Sequence, residues 1–168
     1  VNILIDLKEI KKKIITINNL YSLAFILIIF FLDRYTKLFV LNNFTENTYY
    51  LNDYINLDLI WNIGVGFGLM STDSDLIYNS ITLLIGIVIV FLIFALIISD
   101  VIDKTIYTII IGGALGNFYD RLIFKAVPDF IDIHYNNFHW FTFNVADIFI
   151  SLGIIFFIMR SFFVKNKP

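Results

Sequence analysis

The sequence contains no cysteine, which removes disulfides, thiolate metal sites and any cysteine nucleophile in one step. It is also poor in charge. Only 15% of its 168 residues are Asp, Glu, Lys or Arg, against about 25% in an average soluble domain. The formal net charge is −2, so the electrostatic footprint of a nucleic-acid binder is missing. One long stretch, Leu41 to Asp75, has no Lys or Arg at all. What stands in place of charge is apolar: 59% of the residues are hydrophobic, with a mean hydropathy of +0.83. Lipid is the solvent such a chain suits, as one compact unit spanning 1–168.

Four stretches are long and apolar enough to cross a bilayer, which takes roughly 20 residues of helix. They run over about 20–41, 76–98, 105–124 and 143–164. Lys8, Lys11, Lys12 and Lys13 precede the first, but no small-residue cleavage pattern follows it, so it reads as a signal anchor rather than a removable leader. Lysine and arginine set orientation. The N-terminal flank has those four lysines, and the C-terminal flank has Arg160, Lys165 and Lys167. The segment after the first span instead carries Glu46, Asp53, Asp58, Asp73 and Asp75. This predicts cytoplasmic termini, outer segments at 42–75 and 125–142, and a short inner turn at 99–104. Within 49–70, partial alternation and aromatic residues predict short strands in a small sheet on the membrane surface. Phe130, Ile131, Ile133, Phe138, Trp140 and Phe141 predict an amphipathic interfacial segment, drawn as helical, over 125–142. The expected fold is therefore an α-helical membrane protein with four transmembrane helices, a small extracytoplasmic β-sheet and an interfacial helical segment between spans 3 and 4.

Polar residues are expensive inside a membrane, and each is a candidate for function. With this topology Asp33 and Lys37 fall at the outer end of span 1, and Asn117, Asp120 and Arg121 at that of span 3. Asn144 and Asp147 fall at the outer end of span 4, and Asp129 lies between the last two spans. Helical spacing groups them further. Asp33 and Lys37 are i, i+4; Gly113, Asn117, Asp120 and Arg121 form one stripe; so do Asn144, Asp147 and Ser151. Gly112 and Gly116 form a small-xxx-small pair that admits a neighbouring backbone. Plainer readings stand beside these. Asp33–Lys37 could be an interfacial ion pair, Asp120–Arg121 a helix-end pair tying the bundle, and Asn117 and Asn144 interhelical glue. Asp147 resists such a reading, because it is four residues into a span with no cation near it in sequence.

Several chemistries lack their residues. His134 and His139 match no H-E-x-x-H pattern, which predicts interfacial histidines and no metal site. No serine sits in a G-x-S-x-G setting, and GGALGN lacks the Lys-Ser/Thr of a phosphate loop. Carboxylates remain. Two held close at low dielectric share one proton, and can act as base toward water and acid toward a carbonyl without metal or cofactor. Asp129 and Asp147, 18 residues apart at one membrane level, are the candidates.

Five blocks of sequence carry a resemblance: DRYTK at 33–37, WNIGVGFG at 61–68, GGALGNFYDRL at 112–122, VPDFIDIH at 127–134 and FNVAD at 143–147. In order and spacing they resemble the lipoprotein signal peptidase family, also called signal peptidase II, over about residues 20–160. The resemblance implies an intramembrane aspartyl endopeptidase of the bacterial inner membrane, with its site near the outer face. Its substrate would be a prolipoprotein bearing a diacylglyceryl-cysteine, cleaved just before that cysteine, in contact with membrane lipid and by a monomer. It further implies Asp129 and Asp147 as the catalytic pair. Asp33, Lys37, Asn62, Gly64, Asn117, Arg121 and Asn144 match positions that support or line the site, and Asp120 a structural one. Asn117 and Asn144 would orient the dyad, and Arg121 would brace the segment carrying Asp129. Gly66 and Phe141 depart from the family pattern, the second leaving the course of 135–142 open. The rival reading is a small transporter or channel subunit with an ion relay through Asp33, Asp120 and Asp147. It requires acids spread through the membrane depth, and span 2 has none.

Overall fold

The computed structural model describes residues 14–44, 48–64, 74–136 and 138–165. Lys8 to Lys13, Glu46, Gly66, Asp73 and Lys167 lie outside the described residues. Four long helices and four strands follow in the order α1 (Ile17–Asn43), β1 (Tyr49–Asn52), β2 (Ile55–Asn62), α2 (Asp75–Ile98), α3 (Val101–Phe124), β3 (Val127–Tyr135), β4 (Phe138–Phe143) and α4 (Val145–Lys165). Helix starts are capped as their sequence suggests. The Thr16 hydroxyl accepts from the Asn19 amide, and Asp100 accepts from the amides of Ile102 and Asp103. Lys125, in the left-handed region at φ 53°, ends α3 and turns the chain into β3.

The bundle is built around α3, which packs against each of the other three helices. Its glycines allow close approach. A Cβ on Gly112 would lie 2.8 Å from Ile29 of α1, and one on Gly116 would strike the Asp33 carboxylate. One on Gly113 would lie 2.5 Å from the Ala146 carbonyl oxygen of α4. The predicted small-xxx-small pair thus seats α1, and the next residue round the helix seats α4.

Polarity is inverted relative to a soluble protein. Asp33, Lys37, Asp120 and Asn144 are 0% exposed, whereas Phe91 and Phe94 of α2 are each 70% exposed. Two of the described helices, α2 and α4, are long and apolar enough to cross a membrane. The other two carry the ionic interior.

The strands form one antiparallel sheet, β1-β2-β3-β4. Strands in 49–62 match the expectation for the first outer segment. The second outer segment is a correction: 127–143 is a β-hairpin, not an interfacial helix. VPDFIDIHY alternates, and its β-branched and aromatic side chains suit a pleated surface. Asn136, at φ 53°, supplies the left-handed turn position that asparagine tolerates. Reading the apolar residues of 130–141 as a membrane-facing stripe missed this period of two. β4 also gives the course of 138–142: Phe141 pairs across from Ile133. In its first half β3 is buried on both faces, because it lies against α1 and α3 as well as in the sheet.

Candidate active site

Sheet and helices meet at one end of the bundle, and the polar residues gather there. β3 brings in Asp129, which is 2% exposed. The first turn of α4 brings in Asp147, which is half-buried. Asn144, just before α4, joins them. Its Nδ2 donates to Asp129 Oδ1 at 2.5 Å, and its backbone N–H donates to Asp147 Oδ2 at 3.2 Å. Asn144 Oδ1 accepts in return from the Asp147 backbone N–H at 3.1 Å. One asparagine therefore bridges the two carboxylates, and caps α4 while doing so.

Each carboxylate has a second amide partner. Asn62 Nδ2, at the end of β2, donates to Asp129 Oδ2 at 2.9 Å, while Asn62 Oδ1 accepts from the Gly64 N–H at 2.8 Å. Asn117 Nδ2 donates to Asp147 Oδ1 at 2.7 Å. The Asn117 amide cannot be reversed without loss, because its Oδ1 accepts from Lys37 Nζ at 2.8 Å. A lysine has donors only, so it selects the oxygen and turns the NH2 group toward Asp147.

Lys37 anchors a second layer. Its ammonium donates to Asp33 Oδ2 at 2.8 Å, to Asn117 and to Asp120 Oδ2 at 2.7 Å, which uses all three protons. Arg34 pairs with the other oxygen of Asp120 and lies over the Tyr119 ring at 4.7 Å. Asp33 Oδ1 accepts from the Ala146 backbone N–H at 2.9 Å, which ties α1 to the start of α4. Two carboxylates and two cations are balanced in this layer. Such a buried, hydrogen-bonded network is costly to break by removing one member, about 3–5 kcal/mol.

Arg121 takes a separate position. Its guanidinium donates to the Gly64 carbonyl at 2.8 Å and to the Asn117 carbonyl at 3.3 Å. The hydroxyl of Tyr78 in α2 donates to the Arg121 carbonyl at 3.2 Å.

Burial without a hydrogen-bonded cation pushes the Asp129 carboxyl up to about 6, and the neighbouring Asp147 charge adds to the effect. At that value Asp129 holds its proton at mildly acidic pH while an ordinary carboxylate has lost it. A protonated acid beside a second carboxyl group is the arrangement that acid–base hydrolysis by a carboxylate pair requires.

The family model described as signal peptidase (SPase) II matches residues 25–163, most of the chain and all of this site. The chain belongs to the signal peptidase II family. It is accordingly a peptidase. It is 48% identical over 157 residues to the lipoprotein signal peptidase of Pelagibacter ubique, covering 91% of this chain and 95% of that one. The lipoprotein signal peptidase of Francisella tularensis subsp. novicida is 38% identical over 141 residues, covering 80% and 87%. The fold is also that of a bacterial membrane enzyme solved by the in meso method. The TM-score is 0.71 at 24% identity, over 87% of this chain and 90% of that one.

All ten residues singled out by the family motifs meet in the one network. Asp129, Asp147, Asn62, Asn117 and Asn144 form the amide-held pair; Asp33, Lys37 and Asp120 form the ionic layer; Arg121 and Gly64 close the β2 end. Two details differ from the sequence reading. Asp120 does not pair with its neighbour Arg121 but with Arg34 and Lys37 of α1. Arg121 braces the end of β2 at Gly64, not the strand bearing Asp129. Adjacent helix positions point about 100° apart, so a neighbouring cation in sequence need not be the partner. Arg34, a partner of Asp120, is not among the residues that the sequence marks. Its only sequence signal is a charge inside an apolar run, next to Asp33.

Proposed function

We propose that this signal peptidase II removes signal peptides from diacylglyceryl-modified prolipoproteins, cleaving before the lipidated cysteine, with Asp129 and Asp147 as an aspartyl dyad. The observation that carries the proposal is the pair of carboxylates bridged by Asn144 and held by neutral amides. Asp129, the more buried, holds the shared proton. Asp147, half-buried at the rim, takes a proton from water. The water oxygen bonds to the scissile carbonyl carbon as Asp129 protonates the carbonyl oxygen, giving a neutral gem-diol. Asp147 then passes its proton to the leaving nitrogen and the C–N bond breaks. A gem-diol hydroxyl returns its proton to Asp129 as the new carboxyl group forms. The products are the free signal peptide and the amine of the lipidated cysteine. No metal or cofactor enters these steps.

Four membrane spans, both termini cytoplasmic and the sheet outside complete the proposal. Support comes from the charge asymmetry of the flanks and from the inverted polarity of the bundle. An apolar groove lined by Phe25, Ile28, Leu32, Ile109 and Phe149 runs along α1, α3 and α4. It suits a signal helix entering sideways from lipid. The enzyme acts in the bacterial inner membrane, and a monomer suffices because every member of the network comes from one chain. The ion-relay alternative finds no support, since the site's four acids lie in one connected cluster at one end of the bundle.

The decisive measurement is cleavage of a diacylated prolipoprotein by Asp129→Asn and by Asp147→Asn. Substantial turnover by either variant sinks the dyad.

A further inference from the structure

The outer sheet carries a second cluster, separate from the dyad. Asp132 and His134 are two apart on β3 and so face the same side. β4 places His139 directly across from His134. Asp132 Oδ2 lies 2.7 Å from His139 Nδ1 and 3.7 Å from His134 Nδ1. The three ligand atoms all lie within 4.8 Å of one another. The two imidazoles are stacked, with centroids 5.3 Å apart and 23° between planes.

Hydrogen bonding leaves this cluster incomplete. His134 is buried, at 7% exposure, and its Nδ1 has no hydrogen-bond partner. A buried polar atom without a partner costs about 1–3 kcal/mol. Asn56, paired across from Asp132 on β2, also has a buried Oδ1 without a partner. Cross-strand partners project from the same face of a sheet, so Asn56 shares the face that carries Asp132.

A metal ion satisfies this geometry. At metal–ligand distances of roughly 2.0–2.2 Å, tetrahedral N and O ligands sit about 3.3–3.5 Å from one another. The observed separations bracket that value, and His139 needs only to back away slightly from Asp132. Two imidazoles and one carboxylate select a borderline transition ion over Mg2+ or Ca2+, which prefer all-oxygen sites. The spacing D-x-H-x4-H is not the H-E-x-x-H template. That template places ligands on one helix, whereas here they come from alternate strand positions and a cross-strand pair.

We propose that Asp132 Oδ2, His134 Nδ1 and His139 Nδ1 bind one divalent transition-metal ion of the Zn2+ type. The fourth position is left to water, for which Asn56 Oδ1 is an available acceptor. The ion clips β3 to β4 three residues beyond Asp129. It takes no part in the peptidase chemistry.

The full-length chain is purified in detergent without a polyhistidine tag and stripped with a chelator. Zn2+ is then titrated in competition with a chromogenic chelator, and thermal unfolding is followed with and without the ion. One Zn2+ per chain and a raised Tm are the expected results. His139→Ala removes a side chain that is 57% exposed, so its fold survives. It should weaken Zn2+ binding by roughly tenfold or more, the scale of perturbing a metal shell. Co2+ supplies a test that needs no variant, because tetrahedral Co2+ gives intense visible bands. Substoichiometric Zn2+ uptake, unchanged affinity in His139→Ala, or a Co2+ spectrum of the free hexa-aquo ion would each overturn the site.

Discussion

Two pairs of aspartates lie in one connected network, and their partners differ in kind. Asp33 and Asp120 are bonded to cations: both to Lys37, and Asp120 also to Arg34. Asp129 and Asp147 are bonded only to amides, from Asn62, Asn117 and Asn144, among the described residues. A cation partner draws a carboxylate into an ion pair. An amide holds its position and leaves its proton free to come and go. The first pair is therefore suited to bracing and the second to chemistry, although all four are aspartates gathered at one end of the bundle.

The sharpest break of this contrast is in activity. Asp129→Asn and Asp147→Asn should each lower prolipoprotein cleavage by about 10²–10⁴-fold, the contribution of a positioned acid or base. Both variants should fold, because an asparagine keeps the shape. If either retained near-normal turnover, the amide-held pair would be no more than structure.

The converse holds for the braced pair. Asp120→Asn or Lys37→Met leaves an uncompensated charge in the interior, worth about 3–5 kcal/mol of stability. The expected result is a lower folded yield and a lower Tm in detergent. Normal yield with lost activity would move Asp120 from brace to catalyst.

A third prediction concerns pH. The Asp129 pKa is about 6 in the folded chain, against an ordinary 3.8. Between those values the folded protein keeps a proton that the unfolded chain has released. Stability therefore falls as pH rises from about 4 to 6 and stays at the lower level above it, by at most about 3 kcal/mol. Asp129→Asn lacks this slope. Its Tm should gain on the parent across that window, and parallel curves would mean that Asp129 ionises like an exposed carboxylate.

The smallest effect tests how the brace is seated. A Cβ on Gly116 would meet the Asp33 carboxylate, which Lys37 and the Ala146 N–H hold in place. Gly116→Ala should cost about 1–3 kcal/mol, in the range of overpacking. A neutral result would show that Asp33 can shift without loss.

Much of this was legible in the chain. Long apolar runs and polar residues at helix ends already point to one end of the bundle as the place where the site's residues gather. Asn117 and Asn144 are expected to orient the dyad; Asn117 donates to Asp147, and Asn144 donates to both Asp129 and Asp147. The failures share a cause. Asp120 was matched with Arg121 because they are adjacent, but its partners are 86 and 83 residues away. The hairpin at 127–143 was drawn as helical because its apolar residues were counted without their period.

By itself, the sequence determined composition, the set of chemistries and which helix ends carry the acids. These depend on residue type and on distances along the chain, which local rules convert into helix faces and helix ends. Only the tertiary structure decided which carboxylate meets a cation and which meets an amide. That choice turns on how closely α1 and α4 approach the glycines of α3 and on how β3 is drawn across the helix ends. It is made between side chains far apart in sequence, whose partners only the packed fold brings within hydrogen-bond reach.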